Sequence, residues 1–444
     1  MRNWRWGQML VLVAASVLLA GAAGRGDEIM AEVATTTEEG AFDLNTAVIE
    51  WGDVRQRIDG FGASSFANEF PDAVIANADL LFDVSTGAGL SLMRMALPHN
   101  PDSTGGRPYK DREIARLAQA RGARVWASNF YPPPKWKTNG IPEQGGRLLV
   151  ARYPDYADLL ADEIEDLKRT HGVDLYALSI QNEPDYAAPW GSCLFSAAEF
   201  KAFVPHLFNE FRRRGLTTKI IMGEQSSWRF NRVADTMNDP TTAAMVDILA
   251  AHPYSKPDGW ASPYKGVRPI WQTEHSIGKD DAHGISTALT QAVEIHNFMT
   301  QSEIQSWHAW NLGVIMGGKR LYTLGNWSKF VRPGYSRIGA SDAGDVNVSA
   351  YKNASTGQFV IVAVNREGAQ TKTFGLQGFS ATSVTPWVTS ASLNLAPQPG
   401  VPVNGGSFTF TLAASSVTTF VGTASGSPQS GVRPPAPTGL RIIR

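Results

Sequence analysis

Two glutamates stand where short apolar runs give way to polar residues. Glu183 follows DLYALSI (174–180) within QNEPDY, and Glu274 follows RPIWQT (268–273). Two carboxyl groups facing each other across a pocket can hydrolyse a glycosidic bond, because one donates a proton to the leaving oxygen while the other stays ionised at the anomeric carbon. The two residues are far apart in the sequence, so only the fold can bring them together.

The elements that must position these glutamates are short β-rich runs between residues 57 and 335. The runs are RIDGF (57–61), LSLMRMA (90–96), ARVWAS (123–128), DLYALSI (174–180), TKIIMG (218–223), DILAAHPY (247–254), RPIWQT (268–273) and IQSWHAWN (304–311). Eight strands alternating with helices predict a (β/α)8 TIM barrel, which we assign to residues 57–338. A doubly wound open sheet is the main alternative, but GFGAS (60–64) lacks the GxGxxG pattern of such folds.

Two amphipathic stretches illustrate the helices between these strands. Residues 155–170 place Leu159, Ile164 and Leu167 on one face, with acids and bases opposite. The second stretch, residues 198–215, ends in a basic turn followed by Gly215, which is a helix-stop signature.

Chemistry in such a barrel sits at the carboxyl ends of the strands, and strands four and seven face each other across the opening. Glu183 and Glu274 end these two strands, so we expect them in one pocket. Glu224 ends strand five and is a weaker candidate, as a substrate ligand. A three-histidine metal site is a further alternative, although packed neutral histidines are the expectation because no HExxH spacing is present; the set is His252, His275 and His308.

Residues 339–422 differ in character from the barrel. Runs such as QFVIVAVN and SVTTFVG are rich in Val, Thr, Ser and Phe and are separated by Gly, Pro and Asn. This pattern predicts a small antiparallel β-sandwich side domain, to which residues 44–56 contribute strand structure. Residues 423–444 form a Ser/Pro/Gly-rich tail.

The first 23 residues have the pattern of a secretory signal peptide. Two arginines precede the apolar run MLVLVAASVLLAGAA, which is short of the roughly 20 residues that span a bilayer. Residues 24–43 are predicted to be a flexible leader. We therefore expect a secreted protein that has no membrane association once the signal is removed.

Composition excludes several other classes of protein. With 43% hydrophobic and 18% charged residues the chain is not intrinsically disordered. A net charge of −1 gives no electrostatic footprint for nucleic acid, and the single cysteine, Cys193, excludes an intrachain disulfide. We expect a monomer.

Several motifs together resemble glycoside hydrolase family 30. SIQNEPDY (179–186) and WQTEHS (271–276) look like the acid/base and nucleophile segments of clan A hydrolases. RIDGFGAS (57–64), HPY (252–254), SKFVRPGYSRIGA (328–340) and the run 346–421 resemble family 30 in particular. Within the family, IQNEPDYA (180–187) and the RPGY segment with the sandwich after it most resemble the xylanase branch. The resemblance covers residues 45–422.

The resemblance implies roles for individual residues. Glu183 would be the general acid/base and Glu274 the nucleophile of a retaining mechanism. Asn182 would bond the sugar 2-OH, and Tyr254 would orient Glu274. The remaining contacts fall to three residues: Arg94 would keep Glu274 negative, Trp310 would floor the −1 subsite, and Phe130 would line its wall.

Loops suggest what distinguishes this chain within the family. Trp190, just past the acid/base segment, is the best candidate for a sugar platform among the loop tryptophans. Glucuronoxylan-specific members carry an Arg-Arg-x-Tyr-Gly pattern after strand eight. Here that loop, residues 311–326, lacks the pattern, with Arg320 and Tyr322 displaced along the chain. We therefore expect no strict dependence on glucuronate branches.

The resemblance therefore predicts a secreted, retaining endo-β-1,4-xylanase that acts on the polysaccharide xylan and needs no cofactor and no metal. The same mechanism on another β-glycoside is the first alternative, whether a β-1,6-glucan, a glucosyl lipid or xylobiose release from a chain end. A non-catalytic carbohydrate-binding protein is the alternative of another class.

Overall fold

The computed structural model describes residues 44–65, 70–97, 107–278 and 283–425. The predicted signal peptide, the leader and nearly all of the tail lie outside the described residues. Within them, no helix is both long enough and apolar enough to cross a bilayer.

Residues 57–338 contain the predicted barrel. After a first strand, β1 (Thr46–Arg57), eight parallel strands pair in chain order and close when the last pairs with the first. This closure confirms the (β/α)8 prediction. The barrel strands are β2 (Gly60–Ser64), β3 (Leu92–Leu97), β4 (Arg124–Asn129), β5 (Leu175–Ser179), β6 (Lys219–Gln225), β7 (Ile248–Ala251), β8 (Ile270–Gln272) and β9 (Ser306–Ala309).

Helices fill most of the connections between these strands. They are α1 (Pro71–Ala76), α2 (Ala78–Phe82), α3 (Arg107–Ala120), α4 (Tyr153–His171), α5 (Ala197–Arg214), α6 (Ala234–Met237), α7 (Pro240–Ala243), α8 (Ile285–Asn297), α9 (Leu312–Ile315) and α10 (Lys319–Ser328). Short 3-10 turns span Pro134–Trp136 and Val150–Arg152, and a π-helical turn spans Phe298–Ser302.

The two helices predicted from periodicity form within a few residues of the predicted bounds. Helix α5 begins at Ser196, whose hydroxyl accepts from the N–H of Glu199 in a capping box. It ends at Gly215, where φ is 67°, a left-handed conformation that glycine adopts without a Cβ clash. Helix α4 ends in the same way at Gly172.

Large side chains fill the barrel beneath its opening. Trp126 and Trp271 are fully buried, with ring centroids 5.8 Å apart in an edge-to-face contact. They pack with smaller residues from the other strands: Leu92, Ala177, Ile221, Ile248 and Ala250. This packed apolar layer lies directly beneath the polar side chains of the barrel opening.

The remaining strands form one ten-stranded sheet beside the barrel. Strand β1 pairs antiparallel with β10 and parallel with β13, and the other pairings are antiparallel. The strands after the barrel are β10 (Ser336–Ala340), β11 (Asn347–Lys352), β12 (Gln358–Asn365), β13 (Gln370–Gln377), β14 (Ser383–Thr389), β15 (Ala396–Pro397), β16 (Val401–Pro402), β17 (Ser407–Leu412) and β18 (Ser416–Thr423).

This sheet is continuously hydrogen-bonded in the order β15-β14-β18-β12-β11-β10-β1-β13-β17, with β16 also on β14. The sequence predicts a small antiparallel β-sandwich here, and the strands are antiparallel apart from the β1–β13 pair. Alternating polarity reports which face of a strand is buried and not which strand is its neighbour, so the strand order could not be predicted. Helix α10 attaches the sheet to the barrel: Asn326 Nδ2 donates to Thr419 Oγ1 at 2.9 Å, and Trp327 Nε1 donates to Tyr351 Oη at 3.1 Å.

Candidate active site

Glu183 is held in a strained turn four residues after β5 ends. Its φ is 43°, a left-handed value that costs a non-glycine residue about 1–3 kcal/mol and persists only where neighbours enforce it. The enforcing contacts are backbone hydrogen bonds. Glu183 N–H donates to Glu224 O at 2.9 Å, and Asn182 N–H donates to Asn129 O at 2.7 Å. These bonds fix the Glu183 side chain toward the barrel opening.

Glu274 is held by two donors. Arg94 Nη1 bonds its Oε2, and Tyr254 Oη donates to its Oε1 at 2.8 Å. A guanidinium and a hydroxyl on one carboxylate fix its orientation. The Tyr254 hydroxyl stays protonated, because burial and the nearby Glu274 charge raise its pKa.

The two glutamates lie close together. One carboxylate oxygen of each and a ring nitrogen of His252 all lie within 4.8 Å of one another. Each glutamate is 6% exposed, and Asn182 is 4% exposed. The side-chain oxygen Oδ1 of Asn182 accepts from Arg94 Nη2 at 2.6 Å. Arg94 therefore orients the Asn182 side chain as well as Glu274.

Glu224 adds a third carboxylate to the cluster, in a position that does not match its predicted role. It was a candidate substrate ligand, but its side chain is fully buried beneath the other two. Ser128 Oγ donates to it, and Arg94 Nη2 lies 3.2 Å from its Oε1. Burial would raise its pKa, but Arg94 and His252 outweigh that effect and lower the pKa to about 2. Glu224 is therefore a permanent anion.

His252 is charged, contrary to the prediction of a neutral packed histidine. Its Nδ1 lies 3.2 Å from Glu183 Oε1 and its Nε2 lies 3.5 Å from Glu224 Oε1. Burial alone would lower its pKa, but the carboxylates of Glu274, Glu183 and Glu224 raise it to about 10. The charge of His252 could have been inferred from its position after strand six, because the neighbouring strands five and seven end in Glu224 and Glu274.

The three-histidine metal site is not assembled. His275 Nδ1 lies 2.7 Å from Glu294 Oε2, while His308 accepts from Trp126 Nε1 at 3.0 Å and lies 3.0 Å from the carbonyl of Gln272. Burial lowers the pKa of His308 to about 3, so this histidine is neutral as expected.

The spacing of Glu183, His252 and Glu274 would admit a metal ion, but the electrostatics oppose one. His252 is protonated and so offers donors rather than lone pairs, and Arg94 already neutralises Glu274. A cation would have to displace the imidazolium proton and sit beside a buried guanidinium.

Aromatic side chains surround the Arg94 guanidinium. The rings of Trp126, Phe130 and Trp310 have centroids 5.4, 5.7 and 5.9 Å from its central carbon. Phe130 is buried and Trp310 is half-buried, and the backbone N–H of Trp310 donates to the backbone carbonyl of His275 at 2.9 Å. Both rings thus lie beside the carboxylate cluster.

Trp190 lies on the surface seven residues after Glu183. Its side chain is 49% exposed, and its ring contacts that of Tyr186 edge-on at 5.8 Å. The two exposed rings give the loop after β5 an aromatic surface, and the sugar-binding role of Trp190 stays a prediction.

The charges of the cluster decide what it can do. Three carboxylates face two cations, so one further proton makes the buried group neutral. Glu224 is a permanent anion, and Glu274 has Arg94 and Tyr254. Glu183 has only His252 among the described cations, and it shares this partner with Glu224, so it is the carboxyl with the fewest charged partners. Two carboxyl groups held this differently at the mouth of a (β/α)8 barrel are the arrangement of a glycoside hydrolase site.

Comparisons with known proteins agree with this class. Glucuronoxylanase XynC of Bacillus subtilis (strain 168) is 33% identical over 395 residues, which cover 83% of this chain and 89% of that protein. No protein-family model matches the chain.

Solved structures give the same result. The family 30 subfamily 8 xylanase Xyn30A from Clostridium acetobutylicum has a TM-score of 0.75 and 32% identity, covering 86% of this chain and all of that one. A family 30 endoxylanase from Clostridium papyrosolvens C71 has a TM-score of 0.74 and 30% identity, covering 85% of this chain and all of that one. The chain belongs to glycoside hydrolase family 30.

Proposed function

We propose that the protein is an exported, retaining endo-β-1,4-xylanase. The observation that carries the retaining mechanism is the separation of Glu183 and Glu274, since one carboxylate oxygen of each lies within 4.8 Å of the other. Retaining enzymes hold their carboxyl groups about 5–5.5 Å apart, whereas inverting enzymes leave about 6.5–9.5 Å for a water molecule. Xylan as substrate is supported by the family 30 relatives that are named xylanases. Export is supported by the signal-peptide pattern of residues 1–23.

The reaction has two steps. In the first, a Glu274 oxygen attacks the anomeric carbon while the proton of Glu183 moves to the leaving oxygen, which breaks the glycosidic bond and forms a glycosyl ester. In the second, Glu183 takes a proton from water, the water oxygen attacks the same carbon, and Glu274 is released. Each step inverts the carbon, so the product keeps its configuration.

The other side chains act on these two. Arg94 and Tyr254 hold Glu274 ionised and aimed, and Arg94 fixes the Asn182 amide, whose free N–H groups can then donate to a sugar hydroxyl. Trp310 offers its half-buried ring as an apolar surface for the sugar in the −1 subsite.

Independence from glucuronate branches is supported by the segment after β9. Its two cations within residues 311–326 are both committed to the protein. Arg320 is fully buried and donates to Gln291 at 3.0 Å, and Lys319 Nζ bonds Asn394 Oδ1 at 2.6 Å in the connection between β14 and β15. The buried Arg320 guanidinium is not accessible to a uronate carboxylate, and the half-buried Lys319 ammonium would have to leave Asn394 to pair with one.

A second candidate is strict glucuronate dependence, which the name of the Bacillus relatives favours. Digestion of glucuronoxylan, arabinoxylan and linear β-1,6-glucan separates the possibilities, with products sized by mass spectrometry and Glu274→Gln as the inactive control. We expect a ladder of oligomers from both xylans.

Each of the other outcomes would contradict one part of the proposed function. Cleavage of glucuronoxylan alone, with one glucuronate per product, would establish the branch-dependent activity. Cleavage of the glucan alone would contradict the substrate, and a single small product from a chain end would contradict endo action. Binding with no turnover by the wild-type protein would contradict catalysis itself.

A further inference from the structure

Glu224 is a buried carboxylate to which the two-step reaction gives no part. It lies in β6 with a φ of 48°, where the pairing with β7 shifts register between Gly223 and Gln225. This irregularity has the character of a β-bulge, a feature that re-aims a side chain. A left-handed glutamate costs about 1–3 kcal/mol, so the surrounding contacts must hold it in place.

Those contacts reach both halves of the pocket. The Glu224 carboxylate lies 3.2 Å from Arg94, which bonds Glu274, and 3.5 Å from His252, which bonds Glu183. Its backbone carbonyl accepts the N–H of Glu183 at 2.9 Å. Glu224 therefore touches a partner of each reacting carboxyl group while its own side chain stays out of the opening.

We propose that Glu224 is a positioning residue: its fixed negative charge keeps His252 an imidazolium, and this lets Glu183 alternate between acid and base. The inference rests on the proposed function of Glu183. When Glu183 has given up its proton it is a buried anion, and the Nδ1–H of a charged His252 stabilises it until water returns a proton.

Charge neutrality explains why a carboxylate is needed behind His252. With Glu183 protonated, the charges of Arg94 and His252 balance those of Glu224 and Glu274. Removing the Glu224 charge leaves the buried cluster positive, and the cluster restores neutrality by releasing a proton at lower pH. If the proton leaves Glu183, the general acid is gone. If it leaves His252, the imidazolium that stabilises ionised Glu183 as the general base is gone.

Several charged or titratable groups face His252 and contribute to this balance. They come from five barrel positions: Glu183 after β5, Glu224 on β6, Tyr254 after β7, Glu274 after β8 and His308 on β9. Arg94 on β3 pairs with two of these carboxylates, Glu224 and Glu274. His308 is neutral, Tyr254 is protonated and Arg94 is permanently charged, so the three carboxyl groups determine the state of the imidazole.

The test compares Glu224→Gln with Glu224→Asp in the full-length protein. Gln keeps the shape and loses the charge, whereas Asp keeps the charge and loses the shape. We expect Glu224→Gln to move the alkaline limb of kcat on xylan to lower pH by about 1–3 units, the shift that a charge within 4–6 Å produces. Glu224→Asp should keep the limb within about half a unit of wild type, even if kcat falls, because the charge remains.

A purely structural role gives the reverse pattern, with the isosteric Gln milder than Asp and neither limb moved, and that result would overturn the proposal. Glu163→Gln is the matched control, since it removes a half-buried carboxylate on α4 whose pKa burial raises to about 7. It should leave the limb in place. Circular dichroism and thermal melting check that each variant folds.

An NMR titration of the His252 ring provides a readout that needs no substrate. The ring signal is assigned by its loss in His252→Gln. We expect the wild-type imidazolium to persist to about pH 10 and to discharge at lower pH in Glu224→Gln. Unchanged titration in Glu224→Gln would overturn the proposal while xylanase activity stands. The expected titration without xylan hydrolysis would instead show that the proposed function has failed.

Discussion

The two glutamates at the barrel opening are held by different kinds of partner. Glu274 bonds a guanidinium, which never loses its charge, and a tyrosine hydroxyl. Glu183 bonds an imidazole, and its backbone is fixed by a strained turn. A nucleophile must stay ionised, whereas an acid/base must gain and lose a proton within one turnover. The difference in partners thus matches the difference between the two tasks that we propose for these residues.

The largest expected effect separates the two roles directly. Glu274→Gln should reduce kcat by about 10⁴-fold or more on every substrate, because no nucleophile remains. Glu183→Gln should reduce kcat on xylan by about 10²–10⁴-fold, the usual contribution of general acid catalysis. With an aryl xylobioside whose leaving group needs no protonation, Glu183→Gln should recover the first, glycosylation step, seen as a burst of phenolate. Equal losses on both substrates would contradict the acid/base role.

Arg94→Met tests the permanent cation. This change leaves Glu224 and Glu274 buried without their partner, and breaking such a pair costs about 3–5 kcal/mol. We expect a lower denaturation midpoint in urea, together with a loss of kcat that exceeds any change in KM. Native stability in this variant would show that the carboxylates do not depend on Arg94.

Tyr254→Phe removes one donor from Glu274 and retains the ring. Hydrogen bonds to charged groups contribute about 1.5–3 kcal/mol, which corresponds to a loss of about 10–100-fold in kcat/KM. Since Arg94 remains, stability should change little. A loss as large as that of Glu274→Gln would mean that Tyr254 takes part in the chemistry itself.

His252 predicts a pH dependence of stability. Its pKa is about 10 in the folded protein and about 6.5 when unfolded, so its stabilising contribution is complete below pH 6.5 and is lost as pH rises toward 10. The free energy of unfolding of wild type should fall across this window by at most about 1.4 kcal/mol per pH unit from this group. His252→Gln should flatten that slope. Among the described histidines with shifted pKa values, His171, His296 and His308 are lowered and do not produce this trend.

The smallest effect is expected outside the pocket, at Arg320. Its Nη1 and Nη2 atoms are buried without hydrogen-bond partners among the described residues, and Nε donates to Gln291. Arg320→Met should leave the ratio of activities on glucuronoxylan and arabinoxylan unchanged within twofold, because replacing a poorly paired buried charge is often neutral. A selective loss on glucuronoxylan would assign a branch-binding role to this residue.

The barrel was predictable from sequence because its parallel strands are buried on both faces. Such strands are continuous apolar runs, and each of the eight runs became a strand of the closed barrel. The side sheet was less predictable. Its strands have clear alternation, but the parallel pairing of β1 with β13 joins segments more than three hundred residues apart, and no local pattern records it.

Strand ends placed Glu183 and Glu274 at the barrel opening, and the structure brings their carboxyl groups together. The sequence could not predict the charge states of Glu224 and His252, which lie behind these two glutamates. Glu224 and His252 each end a strand like many polar residues, and only three-dimensional distances show that one is a permanent anion and the other its charged partner. Charge states arise from burial and neighbours, which spacing along a chain does not reveal.

The stereochemistry of the first product tests the pairing of Glu183 and Glu274 most directly. Proton NMR during early hydrolysis of xylan resolves the anomeric signals before mutarotation mixes them. The short distance between the two carboxyl groups predicts that the β-anomer appears first and the α-anomer follows slowly. Initial release of the α-anomer would contradict the account, because inversion requires a water molecule between carboxyl groups that stand further apart.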